Sequence, residues 1–141
     1  MDGVQRYICN QQKTFFGWAA SNGYDMYVFI PVFLRSSFCN RSLDKPYSVD
    51  QFADVMDWVD FMEADGEFGP AKVSEPFPKH VAEWLGFVYR QLQIETGLPS
   101  RTLVSMIPPD RLTVAYAGLH TVDEDMQAEI ICRDFGLSAR I

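Results

Sequence analysis

The groups in this 141-residue chain that could do chemistry are two histidines, three cysteines, a row of carboxylates and one arginine set among aromatic residues. A metal site on a helix needs two His or Cys ligands three or four residues apart, so that both face one side. His80 and His120 stand forty residues apart, and neither has such a neighbour. Cys9, Cys39 and Cys132 are equally scattered. A zinc site or a Cys–His nucleophile pair would have to be assembled wholly by the fold. Asp57 with Asp60, and Asp123 with Asp125, are carboxylate pairs without the alternating loop and terminal Glu of a calcium site. Gly17, Gly23, Gly66 and Gly69 form no phosphate-cradling loop. The expectation is therefore no metal and no cofactor. Glu83, Arg90, Tyr116 and His120 are nevertheless the residue types of a small enzyme's site, and a cleft between the fourth and sixth helices would unite them.

The carboxylate row carries the other chemistry. Asp50, Asp54 and Asp57 lie at i, i+4 and i+7 of the expected third helix, opposite its apolar stripe, with Asp60 and Glu63 flanking. Like charges at that spacing cost about 0.2–0.5 kcal/mol per pair, and only Asp50 regains some of this from a helix N-terminus. The row reads either as a docking face for a basic protein or as a solvated face that keeps the chain soluble. Charge is distributed to match. Residues 1–47 hold five basic and three acidic side chains, whereas residues 48–75 hold eight acidic ones against Lys72, within a formal net charge of −7. Such a surface repels phosphate backbones, so the expected partner is a basic protein, such as a toxin or a nucleic-acid-binding protein, and not nucleic acid itself. Arg90, in Phe87-Val88-Tyr89-Arg90, reads as a structural arginine or as an interface anchor, and joins the five acidic residues as a partner-binding candidate.

The elements that must position these groups read as helices throughout, because apolar residues recur at three and four and nowhere alternate at two. A first helix covers about residues 3–21, with Val4, Ile8, Phe15 and Trp18 near one face, and Asn22-Gly23 stops it. Asp25 can cap a second helix with the stripe Phe29, Ile30, Phe33, Leu34 and Phe38; Pro31 either kinks it or starts it, and the kinked helix is favoured. Ser48 with Gln51 makes a capping-box pattern opening a third helix, whose stripe is Phe52, Val55, Met56, Val59 and Met62 and whose end is Gly66. Residues 65–78, rich in Gly and Pro, form the longest loop and the best place for mobility or partner contact. A fourth helix begins near Pro78 and closes at Gly97, a short one covers Ser100–Met106, and Pro109 opens a sixth with Leu112, Ala115, Tyr116 and Leu119 inward. Thr121 and Glu124 form a second capping box, starting a last helix that ends at Gly136. The fold class is all-α, a single-domain bundle of five to seven helices over residues 1–141.

Length and composition agree. A chain of this size can bury a core without disulfides or metal, and its aromatic fraction of 14% implies a ring-rich core or rings left for a partner. No stretch approaches the ~20 apolar residues of a membrane span. The opening MDGVQRYICNQQK lacks the pattern of a signal peptide, and three odd, separated cysteines suit a reducing cytoplasm.

Ala82-Glu83-Trp84-Leu85-Gly86-Phe87-Val88-Tyr89-Arg90, then Thr96-Gly97 and Ser100, then Tyr116 with His120-Thr121, resemble a group of small, uncharacterised all-helical proteins of Gram-positive gut bacteria. In that group a W-L-G-y-x-Y-R helix precedes T-G-x-x-S and Y-x-x-x-H-T, and the stretch Ser37 to Asp44 with Tyr47 is similar to its N-terminal half. The chain departs at Gln91-Leu92, where the pattern has a further aromatic. The resemblance implies a setting beside toxin–antitoxin-like or defence-like modules, hence a neutralising or adaptor role. The expected function is an antitoxin-like or inhibitor-like protein-binding module that covers a basic surface with its acidic helix. A small enzyme around Arg90, Tyr116 and His120, and a homodimeric structural subunit, are the alternatives.

Overall fold

The computed structural model describes residues 1–67, 73 and 75–137; residues 68–72 and 74 of the expected loop at 65–78 fall outside them. Among the described residues the fold is all-α. Helix α1, Gly3–Ser21, starts at Asp2, whose carboxylate accepts from the Gln5 N–H while the Gln5 side chain accepts from the Asp2 N–H. It stops at Asn22, and Gly23 turns the chain at φ +80°, a conformation that favours glycine. Asp25 caps α2, Met26–Leu34, through the Tyr27 N–H at 3.1 Å. This helix is continuous through Pro31, which excludes an extended Tyr27–Ile30. It ends before Phe38, and a five-residue π-helical turn, Cys39–Leu43, follows where no element was expected.

The expected third helix is two elements. The capping box of Ser48 and Gln51 is present, but it opens a 3₁₀ turn, Val49–Phe52. Ala53 and Asp54 are extended, and Asp54 then caps α3, Val55–Ala64, by accepting from the Met56 N–H at 2.8 Å. The break resets the helical phase. The buried stripe of α3 is Val55, Trp58, Val59 and Met62, while Phe52 and Met56, expected inside, are about half exposed.

The remaining helices are α4 (Lys79–Thr96), α5 (Ser100–Met106), α6 (Pro109–Leu119) and α7 (Glu124–Phe135). Gly97 ends α4 in the left-handed conformation at φ +72°, and Gly136 does the same for α7. Helix α7 is capped by Asp123, whose carboxylate accepts from Asp125 and Met126, not by the expected Thr121. Asp123 stands directly before the helix, where a short carboxylate reaches the free N–H groups of the first turn.

Helices α1 and α4 form the most extensive pairing in the fold. They run antiparallel, with Gly86 against the backbone of Gln12 and Lys13, and Gly17 against the Glu83 side chain. Two glycines at the crossing let the backbones approach, and α2 and α3 close the core on the other side. There Phe15 meets Phe33 at 5.0 Å and Trp58 at 5.6 Å between ring centroids, both edge-on, the geometry in which one ring's positive edge faces another's negative face. Trp58 is wholly buried, whereas Trp18 and Trp84 are partly so. No described helix is long and apolar enough to cross a membrane.

Candidate functional site

Three constellations contain the residues singled out by their chemistry. The first is a buried hub around Arg90, which has no exposed surface. Its Nε donates to Gln12 Oε1 at 2.9 Å, Nη1 to Asp44 Oδ1 at 2.8 Å and to the Leu43 carbonyl at 3.2 Å, and Nη2 to Cys39 Sγ at 3.1 Å. Asp44 in turn accepts from the Ser100 N–H at 2.9 Å and from the Ser100 hydroxyl. The π-turn presents Cys39 and Leu43 carbonyl to the guanidinium, and the T-G-x-x-S corner after α4 presents Ser100. Burial opposes the charge on Arg90, and the Cys39 sulfur and Asp44 carboxylate more than offset it, so the group is held above its ordinary value. Arg90 is thus a structural residue. The expectation that it anchors a partner is corrected: the side chain has no exposed surface, and each of its three nitrogens already donates inside the protein. Cys39 is equally enclosed, and burial pushes its thiol up to about 11. All three cysteines are free and buried, as small apolar groups would be.

The second constellation is an open groove of about 690 Å³ between α1, α4, α6 and the start of α7. It unites three of the four residues of the enzyme alternative, Glu83, Tyr116 and His120, and excludes Arg90. Tyr116 is the centre of a ring cluster, with His120 nearly parallel at 4.2 Å, Trp84 edge-on at 5.5 Å and His80 at 5.7 Å. His120 closes α6, with its Nδ1 2.8 Å from the Tyr116 carbonyl. A carbonyl only accepts, so Nδ1 carries a proton and Nε2 is the free lone pair of the neutral ring. The facing wall is Arg6, Asn10 and Lys13 of α1, one helical face that the sequence reading did not single out. Their i, i+4, i+7 spacing was the available signal. No group of three His, Cys, Asp or Glu side chains able to hold a metal occurs among the described residues.

The third is the surface built from the carboxylate row. The five acids do not share one helix face. Asp50 lies in the 3₁₀ turn, half-buried, accepting from the Ser42 hydroxyl at 2.8 Å, and Asp54 is a cap. On α3 the outward residues are Met56, Asp57, Asp60 and Glu63, opposite Trp58 and Met62. None of Asp54, Asp57, Asp60 and Glu63 is paired with a cation among the described residues. Just before Asp54 in the chain, Phe52 stacks on Tyr7 at 5.8 Å, both about half exposed, and Gln11, one turn further along α1, donates to the Ala53 carbonyl at 2.6 Å. Val49 and Tyr47 are more than four-fifths exposed nearby in the chain. The apolar members of this face were missed because a continuous helix would have buried Phe52 and Met56.

Comparison with protein-family models, with curated proteins and with solved structures finds no match to this chain.

Proposed function

We propose that the protein is a binding module for a basic protein, antitoxin-like or inhibitor-like in action, and that it docks through the face formed by Tyr7, Phe52 and Met56 with Asp54, Asp57, Asp60 and Glu63. The observation that carries this reading is the solvent-facing Tyr7–Phe52 stack, with Phe52 two residues before Asp54, in a segment whose four exposed carboxylates have no cationic partner among the described residues. Exposed aromatic surface with a charged border of one sign is what a protein interface of apolar centre and polar rim requires. The sign selects the partner. In a two-fold homodimer through this face, the same unpaired carboxylates would come from both copies, which disfavours self-association relative to a lysine- and arginine-rich surface.

The test is native mass spectrometry of the chain co-expressed with the product of its adjacent open reading frame, after nuclease treatment. A hetero-complex that weakens with added salt, and whose association rate falls in the Asp57→Lys/Asp60→Lys double variant, supports the reading. A complex formed at an unchanged rate by that variant would show the acidic row to be solvated surface only. A chain that runs solely as a homodimer through this face would replace the proposal with the self-assembling one.

A further inference from the structure

We infer that the groove between α1, α4 and α6 binds a small zwitterion that carries a flat ring, the chemical class of the aromatic α-amino acids. The site is separate from the acidic face and stands whether or not a protein docks there. Its volume, about 690 Å³, suits a small molecule, since ligand pockets run to roughly 300–1,000 Å³. The rings of His80, Trp84, Tyr116 and His120 supply flat walls against which another ring can pack.

The inventory of uncommitted charge selects the ligand. Arg6 is taken by Glu124, Asp123 by the first N–H groups of α7, and Gln127 by the Val122 carbonyl and the Trp84 indole. Among the described residues, one ammonium, on Lys13, and one carboxylate, on Glu83, remain in the groove without a hydrogen bond or ion pair, together with the Asn10 carboxamide. A simple anion would meet Lys13 but lie against Glu83, and a simple amine would meet Glu83 but lie against Lys13. Either leaves one like-charge contact, which acts as discrimination. A ligand with both signs leaves none.

The helix crossing sets the spacing. Lys13 packs its backbone on Gly86, whereas Glu83 lies over Gly17, four residues further along α1, an offset of about 6 Å at 1.5 Å per residue. A ligand carboxylate then points to Asn10 and Lys13, its ammonium to Glu83, and its ring to Tyr116 and Trp84.

Saturation-transfer NMR and thermal shift on the full-length protein test this with L-tryptophan, L-tyrosine and L-phenylalanine. The comparison probes are tryptamine (no carboxylate), indole-3-propionate (no ammonium) and L-leucine (no ring). The aromatic amino acids should saturate, with the three comparison probes at least about tenfold weaker. Glu83→Gln should weaken L-tryptophan about tenfold while strengthening indole-3-propionate, whose like-charge contact it removes, and Lys13→Met should weaken L-tryptophan while strengthening tryptamine in the same way. Absence of saturable binding by any aromatic amino acid at about 10 mM overturns the inference. So does tryptamine or indole-3-propionate binding as tightly as L-tryptophan. The ligand series on the unaltered protein decides the matter even where a variant loses its fold.

Discussion

Arg90 and Asp44, forty-six residues apart in the chain, meet at 2.8 Å in an environment that leaves the arginine no exposed surface. Around this pair gather the π-turn after α2, the middle of α1 through Gln12, and the start of α5 through Ser100. Tyr89, whose hydroxyl donates to the Ile107 carbonyl at 2.5 Å, Arg90, Thr96 and Ser100 thus serve the interior. Glu83, Trp84, Phe87, Tyr116, His120 and Thr121 line the groove instead.

Removing one partner of this pair should be costly. Asp44→Asn or Arg90→Gln leaves a buried charge without its counterpart, and the expected loss is about 3–5 kcal/mol in urea unfolding. Arg90→Lys keeps the charge but not the fork that serves Gln12, Asp44 and Cys39 together, so it should also destabilise. A midpoint within error of the parent for Asp44→Asn would remove the pair from the core's energetics.

Three glycine-to-alanine substitutions should separate by sign. A Cβ on Gly86 would stand 2.6 Å from the Gln12 carbonyl oxygen, a backbone atom that cannot swing away, so Gly86→Ala should lose about 1–3 kcal/mol. At Gly17 the nearest atom is the Glu83 side chain, which can rotate, and the loss should be smaller. At Gly118 of α6 nothing lies within 4 Å, and alanine should stabilise by about 0.5–1 kcal/mol through helix propensity. Thermal unfolding of the three variants checks the order.

Stability should fall in alkali. Burial pushes the Cys9 thiol up to about 12 and the Cys39 thiol up to about 11, and pushes the Tyr89 hydroxyl up as well. The folded state therefore holds these protons more tightly than the unfolded state. Their contribution is fully present below the ordinary thiol value of about 8.5 and is lost as pH rises through 9 to 12. Urea midpoints should be level near neutrality and decline above that value, and Cys9→Ala should shallow the decline. A thiol reagent at neutral pH should react with the cysteines only on unfolding, since the thiolate is the reactive form.

The two components of the docking face should separate by salt. Asp57→Lys/Asp60→Lys should slow association mainly at low ionic strength, where steering acts. Phe52→Ser should speed dissociation at any salt, because ring burial is not screened. Stopped-flow association and dissociation at two salt concentrations distinguish them. Equal salt dependence for both variants would dissolve the distinction between rim and centre.

Helix starts were legible where one local signal stood alone, an aspartate before α2 or a proline at the start of α4 and α6. Asp25 caps α2 as expected, and α4, α5 and α6 have the expected starts. Legibility failed where two local signals competed. Ser48–Gln51 and Asp54 both mark starts, and the apolar spacing fits one helix through both. The chain uses both caps, which moved Phe52 and Met56 outward and scattered the acid row. His120 both ends α6 and stacks on Tyr116, because the two residues sit one turn apart.

The sequence by itself determined the all-helical class and most of the helix ends, since periodicity and capping involve residues within about four positions of one another. Tertiary structure alone decided which polar residues are interior and which face solvent. Arg90 is buried because Gln12, Cys39 and Asp44, 78, 51 and 46 residues away, arrive to satisfy it. Glu83, Lys13 and His120 share one groove because two glycines bring α1 close against α4, and no spacing along the chain encodes an approach between helices so far apart in it.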